Sequence, residues 1–260
     1  MRQPGLFLSH GAPSFLLEEN VTIRFWQGLP ALLPQTPRAI LCVSAHWDAA
    51  QFSISGTLGK VGIQHDYYGF PQQLYDLEWQ PADGAATSAW LLAQLSTLKI
   101  EVLEVNRPLD HGLWVPLKTA WPEPSFPVYQ LSLSLHKGLS ALWEAGQRLQ
   151  QLRNDGVLII GSGGITHNLG ALDWNAAEGV ATPQAASFVA EVEQAISKSD
   201  RPALEQPWRF SNGKFCHPTI EHYAPLLFAL GAAHDENMEV IHRNWMYGTY
   251  AMHAWATSNQ

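Results

Sequence analysis

Short apolar runs alternate with longer amphipathic segments along this chain. Five runs have the length of buried strands and are bounded by polar residues or glycine, at residues 5–9, 38–45, 100–105, 128–135 and 157–161. Four segments carry apolar residues at helical spacing, at residues 85–98, 137–152, 183–197 and 220–230. Continuous apolar runs are typical of strands that are buried on both faces. The pattern therefore predicts an α/β protein with a central, mostly parallel or mixed sheet and helices on both faces.

The composition favours one large domain. A chain of 260 residues can bury a substantial core, and it contains no repeat, low-complexity segment or linker. We therefore predict a single catalytic domain over residues 1–260. Only 15% of the residues are charged, which suggests that much of the chain is buried or lies against a partner subunit. A homo-oligomer is left open.

Charge and cysteine content exclude several classes of partner. The formal net charge is -8 and no run of Lys or Arg occurs, which argues against nucleic acid and anionic membranes. No apolar stretch approaches the roughly 18–20 residues that cross a bilayer, and the N-terminus lacks the pattern of a signal peptide. The two cysteines, Cys42 and Cys216, cannot form a disulfide framework. These features predict a cytoplasmic protein.

Two histidines occupy equivalent positions in the predicted sheet. His10 follows the strand at residues 5–9, and His46 follows the strand at residues 38–45. Ligands bind at the carboxyl ends of strands in open α/β sheets. The separation of the two histidines suits one strand–helix–strand crossover, which would make their strands neighbours. Two imidazoles could then converge on one metal, either Fe(II) or Zn(II).

His167 repeats this pattern after the strand at residues 157–161 and a glycine-rich turn at residues 161–164. That turn lacks the Lys-Ser/Thr pair of a phosphate-binding loop. A better explanation of its glycines is that they allow the backbone to pass close to the site.

A further cluster lies at residues 216–222. If the helix begins near Pro218, Glu221 and His222 point about 100° apart, so only one of them should face a shared metal. A local zinc site of Cys216, His217 and His222 is an alternative, although its spacing is irregular.

Two polar loops add candidate substrate contacts. Asp110 and His111 follow the strand at residues 100–105, where they could hold or polarise a substrate. His65 and Tyr67 lie in an aromatic loop that could line the pocket. Ordinary turns, with aspartate as a capping residue, are the alternative for both loops.

Six motifs occur in order along the chain. They are SHGAP at 9–13, SAHW at 44–47, HDYYGFP at 65–71, DHGLWVPL at 110–117, GSGGITHNL at 161–169 and HPTIEHYAPL at 217–226. This set resembles the DODA-type extradiol ring-cleavage dioxygenases of the class III extradiol superfamily. The resemblance covers nearly the whole chain, although residues 247–256 depart from the family's usual ending.

The resemblance implies one non-haem divalent metal, Fe(II) for activity, with Zn(II) as an alternative occupant of the purified protein. The implied ligands are His10, His46 and His222. His167 corresponds to the family's acid/base histidine, which is an additional ligand in zinc-bound members. Distant relatives use two histidines and one glutamate, which makes Glu221 the alternative third ligand.

The resemblance and the residues together predict a dioxygenase that cleaves a catechol-type, DOPA-like ring, with a small aromatic diol and O₂ as its partners. His167 is predicted to act as acid/base, and His111 to stabilise charge on oxygen. His65, Tyr67 and Asp110 are predicted to contact the substrate. Two alternatives remain: a zinc-dependent hydrolase, and a non-catalytic metal-binding protein on the same scaffold.

Overall fold

The computed structural model describes residues 1–258. Its strands are β1 (Gly5–Ser9), β2 (Ala39–Asp48), β3 (Ser53–Ser55), β4 (Leu103–Glu104), β5 (Val128–Leu133), β6 (Val157–Gly163), β7 (Met238–His242), β8 (Trp245–Met246), β9 (Tyr250–Ala251) and β10 (Ala254–Thr257). Its helices are α1 (Val21–Gly28), α2 (Gln72–Tyr75), α3 (Ala85–Thr97), α4 (His111–Ala120), α5 (Leu139–Leu149), α6 (Pro183–Ser197), α7 (Arg201–Leu204), α8 (Gly213–Cys216) and α9 (Ala224–Ala232). The last two residues of the predicted domain, 259–260, lie outside the described residues.

Eight strands form one mixed sheet, in the order β4-β3-β5-β2-β6-β1-β10-β7. The four central strands, β5, β2, β6 and β1, are parallel, whereas β10 and β7 add antiparallel pairs at one edge. The predicted α/β fold with a mixed sheet is confirmed. Within residues 1–258, no helix has both the length and the apolar character needed to cross a membrane.

Successive residues of β2 explain why helices cover both faces of the sheet. Ile40 and Cys42 are buried in one core, and Leu41 and Val43 are buried in another on the opposite face. A strand that is buried on both sides has no polar face, which is why the central strands were recognisable as continuous apolar runs. Helix α4 packs against β2 on the first face, and α9 packs against β6 and β1 on the other.

The edges of the sheet differ from the prediction. Of residues 100–105, only Leu103–Glu104 form a strand, and both residues are exposed because β4 is the outermost strand. The strands β7 to β10 were not predicted, since each is only two to five residues long, and β10 pairs with β1 at the other end of the chain. The divergent segment at residues 247–256 includes β9 and part of β10.

Two local expectations near the candidate site were also wrong. The strands that precede His10 and His46 are not neighbours, because β6 lies between β1 and β2. Helix α9 begins at Ala224, so Glu221 and His222 lie in the turn before it and not on its surface.

Candidate metal centre

Three elements carry histidines to the same edge of the sheet. His10 directly follows β1, and its backbone N–H donates to the Gly163 carbonyl at the end of β6. His46 lies near the end of β2, inside the strand and not after it. The carboxyl ends of parallel strands meet at one edge, so β1 and β2 direct both side chains there from either side of β6.

The third histidine reaches this edge because β6 has glycines where the turn before α9 crosses it. The Gly164 N–H donates to the His222 carbonyl at 2.9 Å. A Cβ on Gly163 would lie only 2.2 Å from the same carbonyl oxygen. Glycine is therefore required for this close approach, as the sequence predicted for the glycine-rich turn.

The three side chains converge. The Nε2 atoms of His10 and His46 lie 3.0 Å apart. One potential ligand atom from each of His10, His46 and His222 lies within 4.8 Å of the other two. The structure thus brings together the three histidines that the sequence singled out as ligands.

The ionisation of these imidazoles suits a divalent cation. Burial, together with the charges of neighbouring histidines, holds the pKa of His10 and of His222 well below the usual value. Burial and the charge of His111 lower the pKa of His46 to about 3. All three rings are therefore neutral at pH 7, and each has a nitrogen lone pair available to a metal. The donor set fits Fe(II) and Zn(II) alike.

His111 and Asp66 extend the cluster on the His46 side. The ring centroids of His111 and His46 are 4.0 Å apart. His111 is the first residue of α4, and its backbone N–H donates to Asp66 Oδ1 at 2.9 Å. The same carboxylate oxygen lies 3.0 Å from His111 Nδ1. Asp66 was not predicted as a site residue, although it lies between His65 and Tyr67, which were.

His167 stacks on His222, with ring centroids 3.4 Å apart and an interplanar angle of 3°. Its backbone N–H donates to the Cys216 carbonyl at 2.8 Å, which ties the loop after β6 to α8. Burial, followed by the charges of His46 and His111, lowers the pKa of His167 to about 4. His167 is therefore a neutral imidazole beside the three-histidine cluster.

The alternative ligands at residues 216–221 lie outside that cluster among the described residues. His217 is fully buried and its Nε2 donates to the Ile165 carbonyl at 3.0 Å. Burial raises the pKa of the Cys216 thiol to about 12, so this cysteine is not a ready thiolate ligand. The Glu221 carboxylate is not part of the group that includes His10, His46 and His222.

The side chain of Asp110, which the sequence offered as a substrate contact, is bonded within the protein. Its side chain is fully buried, and Oδ1 accepts from Ser44 Oγ at 2.6 Å. Oδ2 accepts from Arg107 Nη1 at 3.2 Å and from Gln130 Nε2. Arg107 also donates to the His46 carbonyl at 3.3 Å. The carboxylate thus stabilises the backbone behind His46, and both of its oxygens are occupied by protein donors.

His65 and Tyr67 form an aromatic wall behind His111. The Tyr67 ring meets His111 edge to face, with centroids 5.7 Å apart, and its hydroxyl donates to the Leu74 carbonyl at 2.9 Å. The His65 ring lies 5.8 Å from Trp114, and Nε2 donates to the Leu77 carbonyl at 3.2 Å. The Tyr67 hydroxyl and His65 Nε2 are therefore used within the protein.

Replacing Gly112 by alanine is expected to weaken metal binding. A Cβ there would lie 2.6 Å from Ser44 Oγ and 2.8 Å from His46 Cδ2, so the His46 ring would have to move. We expect the Kd for Zn(II), measured by competition with a chromogenic chelator, to rise by about tenfold or more. Gly28→Ala is the control, because a Cβ on Gly28 has no atom within 4 Å. Equal affinities of both variants would show that the cluster tolerates a side chain at this position.

Comparison with known proteins agrees with this geometry. Residues 5–257 match the family described as the catalytic LigB subunit of aromatic ring-opening dioxygenase. A protein of Escherichia coli (strain K12) named 4,5-DOPA dioxygenase extradiol is 34% identical over 235 residues, covering 89% of this chain and 85% of that protein. A Beta vulgaris protein of the same name is 34% identical over 258 residues, covering 94% of each. The crystal structure of an uncharacterized protein from Escherichia coli K12 has a TM-score of 0.80 at 28% identity, covering 99% of this chain and 100% of that one.

This chain belongs to the LigB family of aromatic ring-opening dioxygenases. Within that family it is a DODA-type class III extradiol dioxygenase, as the six ordered motifs predicted. It is therefore an enzyme that cleaves an aromatic ring with O₂. The family is metal-dependent, and the histidine cluster is a donor set that could bind the metal. The comparisons do not favour the zinc hydrolase or the non-catalytic binding protein.

Proposed function

We propose that this enzyme uses Fe(II) to open the ring of a catechol-type, DOPA-like substrate beside its two hydroxyl groups. The observation that carries the proposal is the cluster of His10, His46 and His222, with a fourth neutral histidine stacked on it. The names of the Escherichia coli and Beta vulgaris relatives support the substrate class.

His10, His46 and His222 are the proposed ligands. A divalent metal held by them supplies Lewis acidity toward the two hydroxyls of a catechol, and open positions for the substrate and O₂. Three neutral donors leave the positive charge of the cation largely uncompensated by protein, which favours a dianionic or monoanionic diol as its partner. Zn(II) accepts the same donors, so the purified protein is expected to hold either ion.

His167 is the proposed acid/base. Its stacking on His222 places it beside a ligand while leaving it outside the group of three. Because its pKa is lowered to about 4, the ring is unprotonated at pH 7, which is the form that a general base needs before it takes a proton from a substrate hydroxyl. The same ring would return that proton to the product.

His111 is the proposed donor toward charge on oxygen. Its ring centroid lies 4.0 Å from that of His46 and 5.6 Å from that of His10. The His111 ring is therefore close enough to these two proposed ligands to contact a substrate bound beside them. The Asp66 carboxylate accepts from the His111 backbone N–H and lies 3.0 Å from Nδ1, so Nε2 is the ring nitrogen proposed to face an oxygen atom. A fixed donor aimed at developing negative charge stabilises a transition state without reorganisation.

Tyr67 and His65 are proposed to form one apolar wall of the substrate slot. The Tyr67 hydroxyl is bonded to Leu74, so the substrate would meet the ring and not the hydroxyl. For Asp110 we propose a positioning role, because its carboxylate contacts only protein donors.

Replacing His111 by phenylalanine is expected to preserve the fold and the metal but to lower kcat/KM for a catechol by at least about tenfold, or ~1.4 kcal/mol. Phenylalanine keeps the ring contact with Tyr67 and removes both nitrogens. Steady-state kinetics with a metal-loaded variant test this, and His136→Phe is the control because His136 is exposed. Turnover equal to that of the wild type would leave His111 with a structural role only.

The whole proposal is tested by anaerobic reconstitution with Fe(II), followed by addition of a catechol in air. We expect O₂ consumption and a yellow ring-opened product. Zn(II)-loaded protein is the control, because Zn(II) has no redox chemistry and should support neither. Reconstituted protein that binds Fe(II) but consumes no O₂ with any catechol would refute the proposed function.

A further inference from the structure

A proline interrupts the hydrogen bonding of α4 next to the histidine cluster. In an α-helix, the carbonyl of Gly112 would accept from the N–H of residue 116. Residue 116 is proline, which has no N–H and is costly inside a helix, by about 3 kcal/mol. The Gly112 carbonyl is therefore free of its usual partner, in a buried position where an unpaired acceptor is unfavourable.

The hydroxyl of Ser162 takes the place of the missing N–H. Ser162 lies on β6 and is buried, and its Oγ donates to the Gly112 carbonyl. A carbonyl oxygen can only accept, so this bond uses the one proton of the hydroxyl. The direction of the Ser162 O–H is thereby set by α4.

The same oxygen contacts His10. Ser162 Oγ lies 3.0 Å from His10 Nδ1. Because the serine proton is already donated to Gly112, the oxygen can only accept from the imidazole. Nδ1 must then carry the proton, and Nε2 must carry the lone pair. Nε2 is the atom that faces His46, with 3.0 Å between the two Nε2 atoms.

We infer that Ser162 is a positioning residue that sets the tautomer of His10, and that Pro116 makes this possible by leaving the Gly112 carbonyl to the serine. This relay consists of two contacts of Ser162 Oγ, one with the Gly112 carbonyl on α4 and one with His10 Nδ1. It leaves His10 Nε2 as the nitrogen that can bind a metal. The tautomer itself is a property of the metal-free protein. Its consequence for metal affinity rests on the proposed function.

The tautomer can be measured directly. In metal-free protein labelled with ¹⁵N-histidine, two-bond ¹H–¹⁵N correlation spectra distinguish a proton on Nδ1 from one on Nε2. The signals of His10 are those missing from the His10→Gln variant. We expect the wild-type ring to be protonated on Nδ1. A neutral His10 protonated on Nε2 would overturn the inference, whatever the variants do.

Ser162→Ala removes the acceptor and should release the ring. We expect His10 to show a mixture of tautomers or the Nε2–H form, and the Kd for Zn(II) to rise by about 10–100-fold. Ser132→Ala is the matched control, since Ser132 is a fully buried serine on β5 that contacts Ser53 and Gln51. It should change neither the tautomer nor the Kd.

Two results separate this inference from the proposed function. If Ser162→Ala kept the Nδ1–H form and wild-type affinity, the relay would have no role. If wild-type protein bound no Zn(II), the metal proposal would fail, but the spectrum of the metal-free protein would still decide the tautomer. The wild-type spectrum also decides the question if the variant does not fold.

Discussion

Replacing His222 by alanine is expected to abolish metal binding and ring cleavage together. His222 is one of only three side chains in the proposed ligand group, so its loss leaves two donors. The contact between its backbone carbonyl and Gly164 does not depend on the side chain, so the turn before α9 should keep its path. We expect the Kd for Zn(II) to rise by more than about 100-fold, beyond the usual cost of losing a group that only orients a ligand.

Thermal unfolding measures this effect independently of activity. A ligand present at 100 times its Kd stabilises the folded state by about 2.7 kcal/mol, so wild-type Tm should rise when Zn(II) is added. The variant should show no such rise. His242→Ala is the matched control, because His222 and His242 are both 9% exposed and His242 pairs with Thr22 instead of the cluster. An undiminished Zn(II)-dependent rise in His222→Ala would contradict the ligand assignment.

Replacing His167 by alanine is expected to separate binding from chemistry. The side chain stacks on His222 but is not one of the three grouped donors, so most of the metal should remain bound. Turnover should fall by about 10²–10⁴-fold, the usual size for loss of an acid/base.

Metal content after dialysis and kcat for a catechol, measured on the same preparation, test this prediction. His136→Ala, a change at an exposed histidine, is the control and should affect neither quantity. If the His167 variant lost its metal as well as its turnover, His167 would be a ligand and the acid/base assignment would be wrong. If it kept both, the stacked ring would serve packing alone.

Asp110 shows where reasoning from local sequence stops. Its position before His111 suggested a polar loop open to a substrate, whereas the structure surrounds its carboxylate with Ser44, Arg107 and Gln130. Burial raises the pKa of Asp110, and the hydrogen bonds from Ser44 and Gln130 oppose that shift. Of these three partners, only Arg107 is close to Asp110 along the chain. The local sequence around an aspartate in a turn is therefore the same whether its carboxylate faces solvent or a buried donor.

The helix that follows His222 shows a second limit. Apolar spacing extended the predicted helix back to residue 220, but α9 begins only at Ala224. The preceding turn is held from outside, by the Gly164 N–H on the His222 carbonyl. Periodicity reports which positions are buried, and residues in a buried turn satisfy the same pattern as a buried helix.

What the sequence determined by itself was the class of fold and the identity of the chemical groups. Continuous apolar strands require cover on both faces, and histidines at strand ends in an α/β protein share one edge, so local pattern is sufficient for both conclusions. The tertiary structure alone decided the arrangement. Strand β6 lies between β1 and β2, which position His10 and His46, and Asp66 accepts from the backbone of His111. Because Pro116 has no N–H, the Gly112 carbonyl accepts from Ser162 instead. These features depend on pairing between residues far apart in the chain, and that pairing is set by packing of the whole core and not by the preferences of any one segment.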